Sequence, residues 1–348
     1  MSSADEPIGR RKEQHVDIVM HRDVQARNVT TGFEDIRFAH VALPELSLSD
    51  IDLSTAFLGR TVTAPLLVSS MTGGTGRTAT INDAISRACG RHGIAFAVGS
   101  QRVALEAGGI DGFSRDLRKN APNVPILANF GAAQLQVWDG VEMARRAVDM
   151  IAADGLIIHL NPLQEAVQEG GDTNWSGLLA QIERVARAVP FPIIVKEVGA
   201  GISGLIARQL VDAGVAAIDV AGAGGTSWAA VEAERATTSR QRQIAMAFRD
   251  WGLPTADAVR QVRASCPDTT LIASGGIRDG IDCAKSIHLG ADMSGLAAGL
   301  LGPALDGGDS LTERISIIIA QLRIACFCTG SRTPSELRSA RLVDGVRA

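Results

Sequence analysis

Short runs of β-branched and aliphatic residues recur along the chain, each followed by a polar or glycine-containing turn and then by a stretch with helical periodicity. The pattern predicts strands at Ala64–Ser69, Ala95–Gly99, Pro125–Phe130, Gly155–Leu160, Pro192–Val198, Ala216–Ala221, Thr270–Ser274 and Met293–Leu296. Helices are predicted between them, over Ile81–His92, Gly140–Ala152, Trp175–Ala188, Ser203–Ala213, Ala256–Ala264 and Gly280–Leu289, several opening on Ser, Asp or Thr caps. Strands alternating with helices pair in parallel, because parallel neighbours need a crossover. Eight in unbroken alternation fit a (β/α)8 TIM barrel, class α/β, better than a doubly wound sheet, whose strand order reverses at a crevice.

The step from Ala216 to Thr270 is 54 residues, the longest between strand starts, so an extended loop follows strand six over about 227–250, rich in Arg, Gln, Glu and Thr. No linker or shift in composition divides the chain. One barrel domain is therefore expected over 1–348, with an N-terminal arm and lead-in over 1–60, the barrel over about 61–330 and a tail over 331–348. The 348 residues are 46% apolar and 21% charged, enough to bury a large core. A net charge of −4 gives no global attraction to nucleic acid or an anionic membrane, so any anion site must be local. No apolar run approaches the ~20 residues of a membrane span and the start lacks an apolar leader, which together predict a cytoplasmic protein. Cys89, Cys266, Cys283, Cys326 and Cys328 are odd in number, scattered and read as reduced core residues. Aromatics are only 4% with no Tyr, so surfaces for stacking bases are not a theme.

In a barrel the loops after the strands share one face. Here they carry Ser69-Ser70-Met71-Thr72-Gly73-Gly74, Gly99-Ser100-Gln101-Arg102, Asn129-Phe130-Gly131 and His159-Leu160-Asn161-Pro162-Leu163-Gln164-Glu165 after strands one to four. Lys196-Glu197, Gly222-Ala223-Gly224-Gly225-Thr226, Ser274-Gly275-Gly276-Ile277-Arg278 and Gly295-Leu296-Ala297-Ala298-Gly299 follow from strands five to eight. Glycines at Gly275 and Gly276 let backbone N–H groups approach a phosphate, and a helix N-terminus adds a favourable dipole; the plainer reading is a tight turn.

Lys196 sits in the apolar run Ile193-Ile194-Val195, where a charge is costly unless it meets an anion or polar ligand. A salt bridge to Glu197 is disfavoured because adjacent strand residues point to opposite faces. His159 and Asn161 share a face at the end of strand four, although a hydrogen-bonded core histidine fits too. Glu165 reads either as a solvated loop carboxylate or, beside phosphate, as a ligand for Mg2+. Arg11 and Lys12 are a solvated basic pair, or with Arg102 they clamp a diphosphate.

Taken together, RKEQH from Arg11, SSMTGGT, GSQR, ANFGAAQ, HLNPLQE, GDTNW, VKEVGAGIS, AGAGGTSW, DWGLPT, SGGIRDG and LAAG near position 299 closely resemble type 2 isopentenyl diphosphate isomerase, over nearly the whole chain. That family interconverts isopentenyl and dimethylallyl diphosphate with reduced FMN, supplied with electrons by NADPH or NADH, and with Mg2+, on a barrel that assembles into tetramers or octamers. The resemblance implies that Ser70, Met71, Thr72, Ser100, Asn129, Lys196, Thr226, Gly275, Gly276, Ile277, Arg278, Ala297 and Ala298 bind FMN. It places Arg11, Lys12, Ser100, Arg102, His159, Asn161 and Gln164 against the substrate, Glu165 on the metal, and Gln164 and His159 in catalysis. Two departures are Ala221, where Ser is expected, and Glu169-Gly170-Gly171-Asp172 in place of Pro-Glu-Gly-Asp.

Shifting a double bond requires proton delivery to an unactivated alkene and proton removal from carbon. Gln164 has no usable pKa, and a metal-bound Glu165 is a poor acid, which points to N5 of reduced FMN as the acid–base group. Rival readings are an α-hydroxy-acid oxidase, an IMP-dehydrogenase-like enzyme, or a non-catalytic flavin or phosphate sensor. No His follows strands five to eight on the rim as an oxidase base, and Cys266 precedes strand seven, on the wrong face for a rim thiol.

Overall fold

A computed structural model describes residues 8–71, 76–108 and 112–343. Eight parallel strands close into a barrel in sequence order: β1 Leu66–Val68, β2 Ala95–Ala97, β3 Ile126–Gly131, β4 Gly155–Leu160, β5 Ile193–Glu197, β6 Ala217–Asp219, β7 Thr270–Ala273 and β8 Met293–Leu296. Seven lie within their predicted runs, and β3 extends one residue beyond its run, to Gly131. The helices also fall where the periodicity places them, with ends moved by a few residues: Gly76–His92, Gly140–Ile151, Leu178–Ala188, Gly204–Asp212, Thr255–Ser265 and Gly280–His288. Their caps explain several starts, since the side chains of Asp139, Ser203 and Asp279 accept backbone N–H groups of the first turn.

The period of two in each strand divides the interior into layers. Leu67, Ala95, Ala97, Leu127, Ile157, Ile194, Ala217, Ile272 and Met293 form one buried apolar cluster. Two positions further along the same inward face stand Ser69, Asn129, His159, Lys196, Asp219, Ser274 and Gly295. The register sets His159, Lys196 and Asp219 side by side on β4, β5 and β6. Hydrophobic filling thus gives way to a polar layer within one pleat.

The arm contains more structure than its polarity suggests. Thr55–Phe57 and Arg60–Val62 form an antiparallel hairpin whose two-residue turn, Leu58-Gly59, has positive φ at both positions, 50° and 75°. Phe57 and Val62 join the interior cluster and stopper the barrel below its apolar layer. The N-terminal helix Ile8–His21 turns Arg11, Lys12, His15, Val16 and Val19, residues at helical spacing, toward the opposite end. The extended loop folds as helices Trp228–Arg235 and Ser239–Met246, capped by Ser227 and Thr238. A further pair, Ala298–Asp306 and Gly308–Cys328, follows β8. All five cysteines are free and all but Cys328 are buried.

Two arginine staples hold strand starts together. Arg118 donates to the carbonyls of Ala121, Val124 and Ala152 and to Asp154 Oδ2, which also accepts the N–H of Ile126. Arg263 does the same toward Gly290, Thr269 and Asp292 Oδ2, which accepts the N–H of Leu271. Each guanidinium therefore satisfies carbonyls at helix ends and ahead of a strand. Arg263→Met is expected to lower the unfolding free energy by about 2–3 kcal/mol in urea titration, because it strands several half-buried acceptors at once. Arg187→Met, which breaks only an exposed pair with Glu183, is expected to cost under about 0.5 kcal/mol.

Candidate functional site

The carboxyl ends of the strands and the N-terminal helix enclose a cavity of about 670 Å³. Every site residue predicted from sequence lines it, from Arg11 on the helix to Ala298 after β8, apart from Thr72, which lies outside the described residues. Lys196, Gln164 and the Gly275 turn share this one hollow.

Lys196 is buried and its ammonium donates to the Glu197 carbonyl at 3.0 Å and to Ser274 Oγ at 3.3 Å. Its ion-pair partner is Asp219 on β6, 3.4 Å away, while the Glu197 carboxylate is engaged elsewhere. Glu197 Oε2 accepts the N–H groups of Val198, Gly199, Ala200 and Gly201, which fold the following loop around it.

Asn129 links three strands. Its Nδ2 donates to Ser70 Oγ at 2.6 Å, so its Oδ1 is left to accept from His159 Nδ1 at 2.7 Å. That contact assigns the proton of the neutral imidazole to Nδ1. Burial first, then the positive charges of Lys12 and Lys196, push the His159 pKa down to about 3. Buried Gln101 anchors the group, accepting the N–H of Asn129 at 2.9 Å and donating to the Ala147 carbonyl at 3.0 Å.

The short helix Pro162–Val167 after β4 presents Gln164 and Glu165. Gln164 Nε2 donates to Glu232 Oε1 at 3.0 Å and its Oε1 accepts from Asn161 Nδ2 at 3.2 Å, which fixes the amide at both ends. Glu232 comes from the loop after β6 and also meets His15 at 2.9 Å and Arg235 at 2.7 Å. Burial works against its charge, but His15 and Arg235 prevail and bring its pKa down to about 2. The His15 ring stands edge-on to Trp228 at 5.2 Å.

Glu165 is buried rather than solvated, and burial pushes its pKa up. It accepts from Asn161 Nδ2 at 2.8 Å, Gln168 Nε2 at 3.2 Å and the Asp172 N–H at 2.8 Å. Beside it, the buried oxygens Asn161 Oδ1 and Gln168 Oε1 have no hydrogen-bond partner. The loop of Glu169-Gly170-Gly171-Asp172 folds back so tightly that a Cβ on Gly171 would stand 2.0 Å from the Glu165 carbonyl oxygen.

Three cations gather near Glu165. Arg102 donates to Asp172 at 3.0 Å and Glu106 at 3.1 Å. Lys12 donates to the Ser100 carbonyl at 3.2 Å, and burial, with Arg11 and Arg102 adding repulsion, pushes its pKa down to about 7. Arg11 feels the charges of Glu165 and Glu232, and its buried Nε has no partner.

The Gly275–Gly276 turn has φ of 101° and 69°, and a Cβ on Gly275 would lie 2.2 Å from the Gly222 carbonyl oxygen. Only glycine permits this backbone-to-backbone approach of the β6 and β7 loops. Nearby, the helix Ala298–Asp306 begins without a side-chain cap, and the buried Ser69 Oγ has no partner. Ala221 lines the same cavity and holds φ at 38° without a hydroxyl.

Sequence reasoning passed over Asp219, Ser274 as its partner, Glu232, His15 and Gln101. Asp219 had a signal, a carboxylate inside the apolar run Ala216–Ala221; Glu232 had none, because its partners are distant in sequence.

The model of the FMN-dependent dehydrogenase family matches residues 4–107 and 135–344. The isopentenyl-diphosphate delta-isomerase of Stutzerimonas stutzeri is 58% identical over 334 residues, 96% of this chain and 96% of the relative. That of Cronobacter sakazakii is 55% identical over 338 residues, 97% of each. Among solved structures, mandelate oxidase with (S)-2-phenylpropionate superposes with a TM-score of 0.66 at 17% identity over 97% of each chain, a likeness of fold.

The imidazole geometry is directly testable. Nitrogen-15 spectra of histidine-labelled protein are expected to show His159 as the Nδ1–H tautomer, unchanged from pH 8 to pH 5. Asn129→Ala is expected to abolish that fixed tautomer.

Proposed function

The chain belongs to the FMN-dependent dehydrogenase family and, within it, to the isopentenyl-diphosphate delta-isomerases, and from that premise we propose how its cavity carries out the isomerisation. The observation that carries the reading is the meeting, in one hollow, of a glycine phosphate cradle, a buried lysine and a separate cation cluster around a carboxylate.

The residues fit FMN. The glycine turn and the uncapped start of Ala298–Asp306 offer backbone N–H groups to its phosphate. Ser70, Met71, Ser100, Asn129, Lys196, Thr226, Ile277 and Arg278 line the remaining wall for its ring and chain, and the unpartnered Ser69 hydroxyl gives the group a further polar contact; that Thr72 also binds FMN rests on the resemblance alone. When bound and reduced by NADPH or NADH, FMN supplies at N5 a group that gives and takes a proton beside an electron-rich ring.

The residues also fit Mg2+. Among the described residues no cluster of three His, Cys, Asp or Glu exists, so a metal depends on Glu165, the free amide oxygens of Asn161 and Gln168, and the oxygens of the substrate's diphosphate. That is a donor set of hard oxygens. Arg11, Lys12 and Arg102 neutralise the rest of the diphosphate charge, with Ser100 at their side, and so fix the position of the five-carbon chain. Gln164, locked between Asn161 and Glu232, orients the reacting end without exchanging a proton. His159, neutral by its surroundings and with its one proton given to Asn129, packs its ring against the substrate and is not an acid.

The α-hydroxy-acid oxidase reading finds no support in the site: the histidines on the cavity wall are His15 and His159, on the N-terminal helix and β4. We further propose that the whole chain works as one FMN-binding unit in a cytoplasmic homo-oligomer. Among the described residues no helix is long and apolar enough to cross a membrane, and Leu205 and Trp251 leave apolar surface exposed for an assembly to cover.

Anaerobic incubation with FMN, NADPH, Mg2+ and isopentenyl diphosphate is expected to yield the dimethylallyl isomer without net oxidation. Turnover should be lost in EDTA, and also with an FMN analogue lacking a protonatable N5. Failure to form the isomer under the complete conditions overturns the reading.

Lys12 adds a pH signature. Its pKa is about 7 without substrate, and a bound diphosphate stabilises the ammonium, so binding takes up a proton above pH 7. On account of Lys12 the substrate Kd is therefore expected to level off below pH 7 and to rise as pH climbs from 7.5 to 9, approaching tenfold per unit. Lys12→Arg should flatten that rise in titration calorimetry.

A further inference from the structure

Asp219 is a fully buried carboxylate with no part in the contacts assigned above to substrate or metal. A buried ion costs several kcal/mol in desolvation unless it is paired. Its Oδ1 accepts from Ser274 Oγ at 2.5 Å, and its Oδ2 has no hydrogen-bond partner. The cation that answers it is Lys196, 3.4 Å from Oδ2 and level with it in the β5–β6 register.

Hydrogen bonding alone does not require this carboxylate. The Lys196 ammonium already has two neutral acceptors, the Glu197 carbonyl and Ser274 Oγ. Ser274 accepts from the lysine and donates to the aspartate, so the three side chains form a directed chain from the cavity wall into the barrel. Asp219 adds a full negative charge behind a positive one.

We propose that Asp219 is a positioning residue for Lys196 that also cancels most of its charge, so that the site exerts little electrostatic pull on the flavin. The inference rests on the reading that FMN occupies this cavity. A lone buried ammonium favours the electron-rich reduced flavin over the oxidised form; a compensated pair does so far less. Such a site suits a reaction in which the flavin ends with the electrons it began with.

The test is the midpoint potential of bound FMN, measured anaerobically against a reference dye. For Asp219→Asn, the ratio of reduced to oxidised flavin at a fixed potential should rise at least about tenfold, a positive shift of ~30 mV for a two-electron couple. Should this variant fail to fold, a neutral pair decides the matter: Lys196→Gln alone leaves an uncompensated carboxylate, and Lys196→Gln with Asp219→Asn leaves none. The double variant is expected to hold the higher potential and the higher Tm. A merely structural Asp219 would change Tm while leaving each pair of potentials equal, and equal potentials overturn the proposal. If the unmodified protein takes up no FMN, as judged by its visible absorbance, the cofactor reading itself has failed.

Discussion

An ammonium group buried inside a barrel, directly above an apolar layer, is the constraint around which the site is arranged. Lys196 follows Ile194 on the inward face of β5 by one pleat, and the neighbouring strands answer it at the same level with His159 and Asp219. Without Asp219 the charge would be unmatched, and without the polar layer of Ser69, Asn129 and Ser274 it would have few hydrogen-bonding neighbours. The apolar layer beneath is equally necessary, because it keeps water from reaching these groups from below and so preserves the strength of their interactions.

The cavity divides its electrostatic work between two regions. Around Lys196 the charges are buried and compensated within the barrel. Around Glu165 the balance is incomplete: burial, with Arg11 and Arg102 adding repulsion, depresses the Lys12 pKa, and burial holds Glu165 above the usual carboxylate range. Cations gathered this closely lower their mutual repulsion when they meet anionic groups. The site is thus primed for a ligand at one place and settled in advance at the other.

Much of this was legible because a closed barrel imposes one rule, that strand ends converge on one rim. Knowing only that Lys196 and His159 end strands five and four is enough to put them in the same hollow. The details that depend on pairing across long sequence distances were not legible. Nothing in the run from Trp228 to Arg235 announces that Glu232 reaches back to Gln164 and His15, and the link of Asn129 to both Ser70 and His159 needs three strands in register. The 55–62 hairpin escaped notice because its strands have three residues each, too few for a period to show. The tight fold of Gly171 onto Glu165 likewise emerges only from the backbone path.

That small hairpin has a consequence for traffic. With Phe57 and Val62 corking the floor of the barrel, whatever uses the cavity must come and go past the N-terminal helix at the roof. Entry and exit thus share one end of the barrel, and the helix that carries Arg11 and Lys12 stands beside that route.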